Sequence, residues 1–391
     1  MGTPDYPGAL QVLRRDAGAG LHQALAAACK PVPAWDPVVY VIDFAHEVLF
    51  PLAAGVAEER VAGTMAGRAF ITGQPVSAGR DGPVRMWVPM MEQTTRTGVL
   101  ALTVPRASPK ILAHAEALGV FAGLAAAAAA RVSDLAYLRG RGRDMSLSAS
   151  MQWDLLPPLS ARTGGAVIAG ALEPAYDIAG DAFDYAADSG DLQFAIIDGL
   201  GHGLSSTLLT GLTIGAYRHA RRGGATLAGI HQAIDETLAG YYDDYSFATG
   251  IIARLATGSG RLEWSCAGHP RPLLLRDRKV VAELSCEPAL PFGLADGPPT
   301  PRTEELQPGD AVLLYTDGVV EARTPGRELF GLDRLADLLE REAASGQPAE
   351  EILRRLLRTV LDHQAGGLRD DATLLLVQWM TDDTQTAGPK T

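Results

Sequence analysis

Four acidic positions stand in one kind of setting: Asp181 in IAGDAFDY, Asp198 in IIDGLGHG, Asp317 in LLYTDGVVEA, and Asp370 with Asp371 in LRDDATLLLV. Each lies at or near the end of an apolar run with a small residue close by. A single Asp-Gly pair is commonly a turn or a helix cap. Four such spots carry more weight, because carboxylates converging at one end of a sheet raise each other's pKa unless a cation neutralises them. The set therefore implies bound metal. Hard oxygen donors with no matching Cys or His cluster favour Mg2+ or Mn2+ over Zn2+. The chemistry this opens is metal-assisted hydrolysis, in which two cations about 4 Å apart lower the pKa of a bridging water and stabilise in-line displacement at phosphorus. Beside Asp198, residues 199–203 read Gly-Leu-Gly-His-Gly. Asp198 can bridge two ions, the Gly199 carbonyl can reach one where a side chain would obstruct, and the glycines let a phosphate approach.

Positioning such acids requires strand ends. Apolar runs bounded by turn residues predict strands at 166–172, 182–187, 192–198, 247–255, 261–267, 272–276, 311–316 and 372–379. Amphipathic spacing predicts helices near 203–222, 225–240, 331–344 and 348–362. Tight turns such as DSGD and TGSG join neighbouring strands, which points to an α+β layered sandwich rather than a parallel sheet. Residues 381–391 are polar and read as a disordered tail.

The chain has 391 residues, a formal net charge of −12, 47% hydrophobic and 20% charged residues. That length and composition suit two or three soluble domains. The acidic balance argues against a nucleic-acid surface, which needs clustered Lys and Arg. Cys29, Cys266 and Cys286 are odd in number and widely spaced, so neither a disulfide framework nor a zinc knuckle is expected, and a reducing cytoplasm is the default location. The stretch from Cys266 resembles a cysteine-phosphatase loop only superficially, because Pro272 stands where that loop needs an arginine. The opening thirty residues carry no secretory pattern. The apolar run at 117–130 is mostly alanine and shorter than a membrane span, so no membrane association is expected.

Residues 1–107 alternate short apolar runs with Gly and Pro turns, predicting an antiparallel sheet with a helix over 21–28. The order VYVID, VAGTMAGRAFITGQPV, WVPMM and GVLALTV resembles a GAF sensory domain, with Gly67, Arg68, Ala69 and Phe70 in that family's helix-to-strand segment. The resemblance implies a small-molecule ligand without identifying it. Residues 108–158 read as a helical linker. Ile111, Leu118, Phe121, Ala125, Ala128, Val132 and Leu135 fall at a and d heptad positions, consistent with a parallel homodimer seam or with packing inside the chain's own domains. Gly140 and Gly142 offer a break before a second helix, which Pro157 and Pro158 stop.

From MQWDLLPP onward, PAYDIAGDAFDY, IIDGLGHG, FATGIIARL, AGHPRPLLL, LLYTDGVVEAR, ELFGLDRL and RDDATLLLV occur in the order found in SpoIIE/RsbU-type serine phosphatases of the metal-dependent protein phosphatase (PPM) superfamily, which this part of the chain resembles. The resemblance implies an αββα sandwich over 159–380, two Mn2+ or Mg2+ ions, and a phosphorylated anti-sigma-factor antagonist of STAS type as substrate. It also implies that SLSASMQWDLLPP is a switch helix packed on the catalytic core. Carried onto this sequence, Asp198 is the bridging ligand, Gly199 a carbonyl ligand, Asp317 and Asp370 side-chain ligands, and Asp181 the acid that holds metal-bound water. Asp371 follows in the same turn, and the choice between Asp370 and Asp371 stays open. No arginine occurs between Arg162 and Arg218, so phosphate must lean on the metals rather than on the arginine used by the eukaryotic-type branch. Two readings stand for His202: proton donor to the leaving serine oxygen, or cap and backbone partner of the following helix. His269 in AGHP reads as structural. Two rivals remain: a pseudophosphatase that binds its phosphoprotein without turnover, and a hydrolase of small phosphoesters.

Overall fold

The computed structural model describes residues 3–381 apart from 17–19, 31–32, 80–81, 93–94, 135–136, 139–143, 174–175, 177–179, 189, 242–245, 288, 295–296 and 365–369. The chain divides into two compact units, Met1–Asp144 and Met145–Thr391.

The first unit opens with helices α1 (Tyr6–Arg15) and α2 (Leu21–Cys29). Strands β1 (Trp35–Ile42), β2 (Val48–Pro51) and β3 (Glu59–Arg60) precede helix α3 (Met65–Thr72). Strands β4 (Val76–Ala78), β5 (Val84–Glu92) and β6 (Thr95–Val104) then lead into helix α4 (Pro109–Ala130). The six strands form one antiparallel sheet of order β3-β2-β1-β6-β5-β4. Its strands alternate faces: Met86, Val88, Met90, Leu100 and Leu102 meet α1, α2 and α4, whereas Tyr40, Val99 and Ala101 meet Phe70 of α3. The expected antiparallel sheet and the helix over 21–28 are both present.

Helix α4 departs from expectation. At 22 residues it is long and apolar enough to cross a membrane, unlike the shorter run read from sequence. Its Ile111, Leu118 and Ala125, three of the heptad positions, lie in the core of their own unit. They are not available as a dimer seam. Leu135, Gly140 and Gly142 lie outside the described residues. Residues 108–158 are thus not a free-standing linker: α4 completes the first unit, and helix α5 (Leu147–Leu155), capped by the Ser146 hydroxyl, belongs to the second.

The second unit continues with β7 (Ser160–Arg162), β8 (Ala166–Glu173), β9 (Asp181–Asp188) and β10 (Asp191–Gly199). Helices α6 (Leu204–Arg222) and α7 (Leu227–Tyr241) follow, then β11 (Ala248–Ala256), β12 (Arg261–Ala267), β13 (Leu273–Arg276), β14 (Lys279–Glu283), β15 (Arg302–Glu305) and β16 (Ala311–Tyr315). The short helix α8 (Asp317–Val320), then α9 (Leu332–Ala344), α10 (Ala349–His363) and β17 (Ala372–Trp379) complete it. Two antiparallel sheets, β15-β12-β11-β10-β9 and β14-β13-β16-β17-β8-β7, face each other.

Period-two alternation builds three cores from these strands. Ile196, Leu314, Leu375 and Val377 point between the sheets, where they meet Ile168, Phe183, Phe194 and Trp264. Ile197 points outward onto Leu209, Ile214 and Tyr217 of α6 and Ile230 and Ile234 of α7. On the other side Leu313, Leu374 and Leu376 pack on Leu335, Leu339, Leu353 and Leu356 of α9 and α10. Central strands buried on both faces read as continuous apolar runs, which is why they were visible in the sequence. The result is the expected αββα sandwich.

Candidate active site

All the singled-out acids come to one end of the sandwich. Asp198, next to last in β10, is directly opposite Asp181, the first residue of β9. In the other sheet, Asp317 follows the end of β16, and Asp370 and Asp371 precede β17, with Tyr315 opposite Leu374. Two bonds join the sheets here: the Thr316 hydroxyl donates to Asp181 Oδ2 at 2.7 Å, and the Asp181 amide donates to Asp371 Oδ2 at 3.1 Å. Asp181 and Asp371 are buried, at 2% and 3% exposure, while Asp317 and Asp370 face solvent. The Asp371 amide donates to Asp370 Oδ1 at 3.0 Å.

The backbone around the acids is held by Ser206 and Thr210, which the sequence did not advertise, and by Gln152 of the segment expected to pack on the core. The Gly199 carbonyl accepts from the Ser206 hydroxyl at 2.7 Å, and the Gly199 amide donates to the Gly180 carbonyl at 3.1 Å. The Thr210 hydroxyl also donates to the Gly180 carbonyl. The amide of Gln152 on α5 donates to the Asp181 carbonyl at 2.6 Å. Gly318 is required by space: a Cβ there would lie 1.9 Å from the Asp371 carbonyl oxygen. Gly201 and Gly203 hold φ of +83° and +77°, the left-handed region that turns the chain from β10 into α6.

Burial and mutual repulsion push every acid up. Asp198 rises to about 7, from burial first and then from Asp317, Asp370 and Asp371. Asp371 rises to about 6, chiefly by burial, with Asp370 adding to it. Asp181 is driven well above the usual carboxylate range by burial, Asp198 and Asp371. Asp317 and Asp370, though open to solvent on one side, are raised by the partial desolvation of their carboxylates against the cluster, and Asp370 raises Asp317 further.

Such a set calls for a cation, and the donors fit one. Asp371 Oδ1 is buried without a hydrogen-bond partner, and the oxygen-only donor set suits Mg2+ or Mn2+. Among the described residues no three His, Cys, Asp or Glu side chains close on one point as a finished cage. The acids act on one another through their charges instead.

His202 lies exposed in the bend between Gly201 and Gly203, close enough to Asp370 and Asp371 for its charge to favour their ionised forms. The N-cap of α6 is Gly203, with no side-chain cap, so the capping reading of His202 does not hold. His269 is structural as expected: it is buried, its Nδ1 lies 2.8 Å from the Thr249 hydroxyl, and burial lowers it to about 3. Arg218, the first arginine after Arg162, is engaged with Asp184 at 2.7 Å. Cys266 and Cys286 are free thiols.

A two-sheet sandwich flanked by helices, with acids from both sheets gathered at one end, is the architecture of PP2C-type phosphatase domains. The SiaA-PP2C domain of Pseudomonas aeruginosa shares it at a TM-score of 0.51 and 22% identity, over 59% of this chain and 93% of that one. The RsbU and RsbW domains of a Mycobacterium tuberculosis protein align at a TM-score of 0.51 with 30% identity, over 57% of this chain and 62% of that one. Residues 188–380 match the family described as Stage II sporulation protein E (SpoIIE). Phosphoserine phosphatase RsbU of Bacillus subtilis is 23% identical over 237 residues, 60% of this chain and 70% of that protein. Protein IcfG of Synechocystis is 30% identical over 133 residues, 34% of this chain and 20% of that protein. The chain thus spans a fifth of IcfG and less than two thirds of the mycobacterial chain. Its second unit is similar in sequence and fold to the SpoIIE/RsbU-type phosphatases of the PPM superfamily.

Proposed function

We propose that the second unit is a Mn2+- or Mg2+-dependent protein serine/threonine phosphatase in bacterial signalling, acting in the cytoplasm on a phosphorylated STAS-type anti-sigma-factor antagonist. The observation that carries this reading is the acid cluster itself, raised in pKa from both sheets and holding an unpartnered buried oxygen on Asp371. Kinship with a phosphoserine phosphatase supports the reaction, and the RsbU-type relatives support the substrate class. The first unit, with its six-stranded antiparallel sheet, is proposed as the GAF-like sensor.

Asp198, Asp317, Asp370 and Asp371, with the Gly199 carbonyl, would hold two ions. When bound, the ions supply Lewis-acid activation of a water and offset the charge of the phosphate. Asp181, its Oδ2 pinned by Thr316, orients the attacking water with its other oxygen. His202, exposed beside the acids, protonates the departing serine oxygen.

The test is hydrolysis of a phosphoserine protein and of a nucleotide panel, with and without Mn2+. Activity should vanish with chelator and return with metal. Asp198→Asn and Asp317→Asn should each lower kcat at least about a hundredfold, a loss of about 2.7 kcal/mol. Full turnover in metal-free buffer, or retained turnover in either folded variant, overturns the reading. Binding of the phosphoprotein without turnover would make it a pseudophosphatase, and a preference for nucleotides a small-molecule hydrolase.

A further inference from the structure

The segment from α5 to Pro158 is fastened to β9 by three polar contacts. Gln152, at 2% exposure, donates to the Asp181 carbonyl at 2.6 Å. The Tyr185 hydroxyl donates to the Pro158 carbonyl at 2.6 Å. Between them stands Arg218 of α6, whose Nη2 donates at 2.7 Å both to the Leu155 carbonyl and to Asp184 Oδ1, with its Nε on the same carboxylate oxygen at 3.0 Å. Arg221 takes the second oxygen of the buried Asp184 at 2.7 Å. One guanidinium therefore ties the last turn of α5 to β9 three residues along from Asp181. A cation on a terminal carbonyl of a helix also satisfies one of its unpaired acceptors and the negative end of its dipole.

From this geometry we propose that Arg218 is a positioning residue for the metal site. It latches α5 against β9 so that Gln152 keeps the Asp181 carbonyl in place, and thereby sets the Asp181–Asp371 contact. This rests on the metal-site reading above. Arg218 touches neither substrate nor metal. Its influence passes through the Leu155 carbonyl to α5, from Gln152 to the Asp181 backbone, and from the Asp181 amide to Asp371 Oδ2. The planar fork makes the role specific, because a single-point cation does not hold a carboxylate and a carbonyl in fixed geometry.

The experiment measures Mn2+ binding by calorimetric titration of the full chain, with melting temperature in chelator as the control for folding. Arg218→Met should weaken Mn2+ affinity at least about tenfold, and Arg218→Lys should restore part of it. The Gln152→Ala variant should weaken it similarly. The double variant Arg218→Met/Gln152→Ala should be no weaker than the worse single variant by more than about twofold, because both act along one route. If Arg218→Met does not fold, Arg218→Gln, which retains a donor, carries the same comparison. Wild-type affinity in a folded Arg218 variant overturns the latch, as does full additivity with Gln152→Ala. Failure of the wild-type protein to bind Mn2+ is a separate result that overturns the metal-site reading and the latch with it.

Discussion

At the scale of single residues, the site is costly before it is useful. Asp198 ionises near 7 in the metal-free protein instead of near the ordinary aspartate value of about 3.9. A carboxylate whose folded pKa is raised contributes stability below its unfolded pKa and loses that contribution as pH rises through the folded value. Metal-free protein should therefore lose stability between about pH 4 and pH 7, and Asp198→Asn should relieve the loss. In chelator at pH 8 the Asn variant should melt higher than wild type, with the gap closing toward about pH 4. A gain of about 1 kcal/mol corresponds to about 2–4 °C for a unit of this size. Thermal melts at the two pH values check this, and equal melting temperatures at pH 8 would contradict it. Gly318 makes the opposite case. Gly318→Ala puts a methyl against the Asp371 carbonyl, so it should destabilise by about 1–3 kcal/mol and lower metal affinity together. Denaturant unfolding with a parallel Mn2+ titration measures both, and a stable variant with unchanged affinity would show that the backbone yields there at no cost.

At the scale of elements, the apolar strands were legible, including the edge strand Asp181–Asp188, whereas the other three sheet edges of the second unit were not. The run 192–198 became Asp191–Gly199, and 372–379 became Ala372–Trp379. The sequence reading missed Ser160–Arg162, Lys279–Glu283 and Arg302–Glu305, which are short, largely exposed and at sheet edges. Edge strands avoid apolar runs because an apolar edge invites pairing with another chain, so they carry little periodic signal. The acids were legible for a different reason: a charge at the end of a buried strand is conspicuous. Thr316 was not, since a threonine beside an aspartate looks like any turn and its bond to Asp181 spans 135 positions. Gln152 belongs to an element whose contribution is testable by removing it. A fragment beginning at Met145 should bind Mn2+ like the full chain, whereas one beginning at residue 159 should fold and bind it more weakly. Equal affinity in the two fragments would reduce α5 to a covering helix.

At the scale of the whole molecule, each unit keeps its own core, and α4 shows how a helix with linker-like periodicity is absorbed by the sheet before it. The second unit is closed in a particular order. Ala372–Trp379, last among the strands, lies inside its sheet between Ala311–Tyr315 and Ala166–Glu173, pairing residues about two hundred positions apart. The acids Asp370 and Asp371 enter with it. During synthesis, a growing chain still threaded through the ribosome at residue 360 has most of its hydrophobic surface made but a slot left open in one sheet and half of its ionic centre missing. Non-local pairing of this kind is slow to form and leaves the partly built sheet exposed to aggregation in the interval. The same arrangement ties maturation to the site: a translation product that stops short of this strand lacks Asp370 and Asp371, so the acid cluster is completed only when the last strand slots between its neighbours.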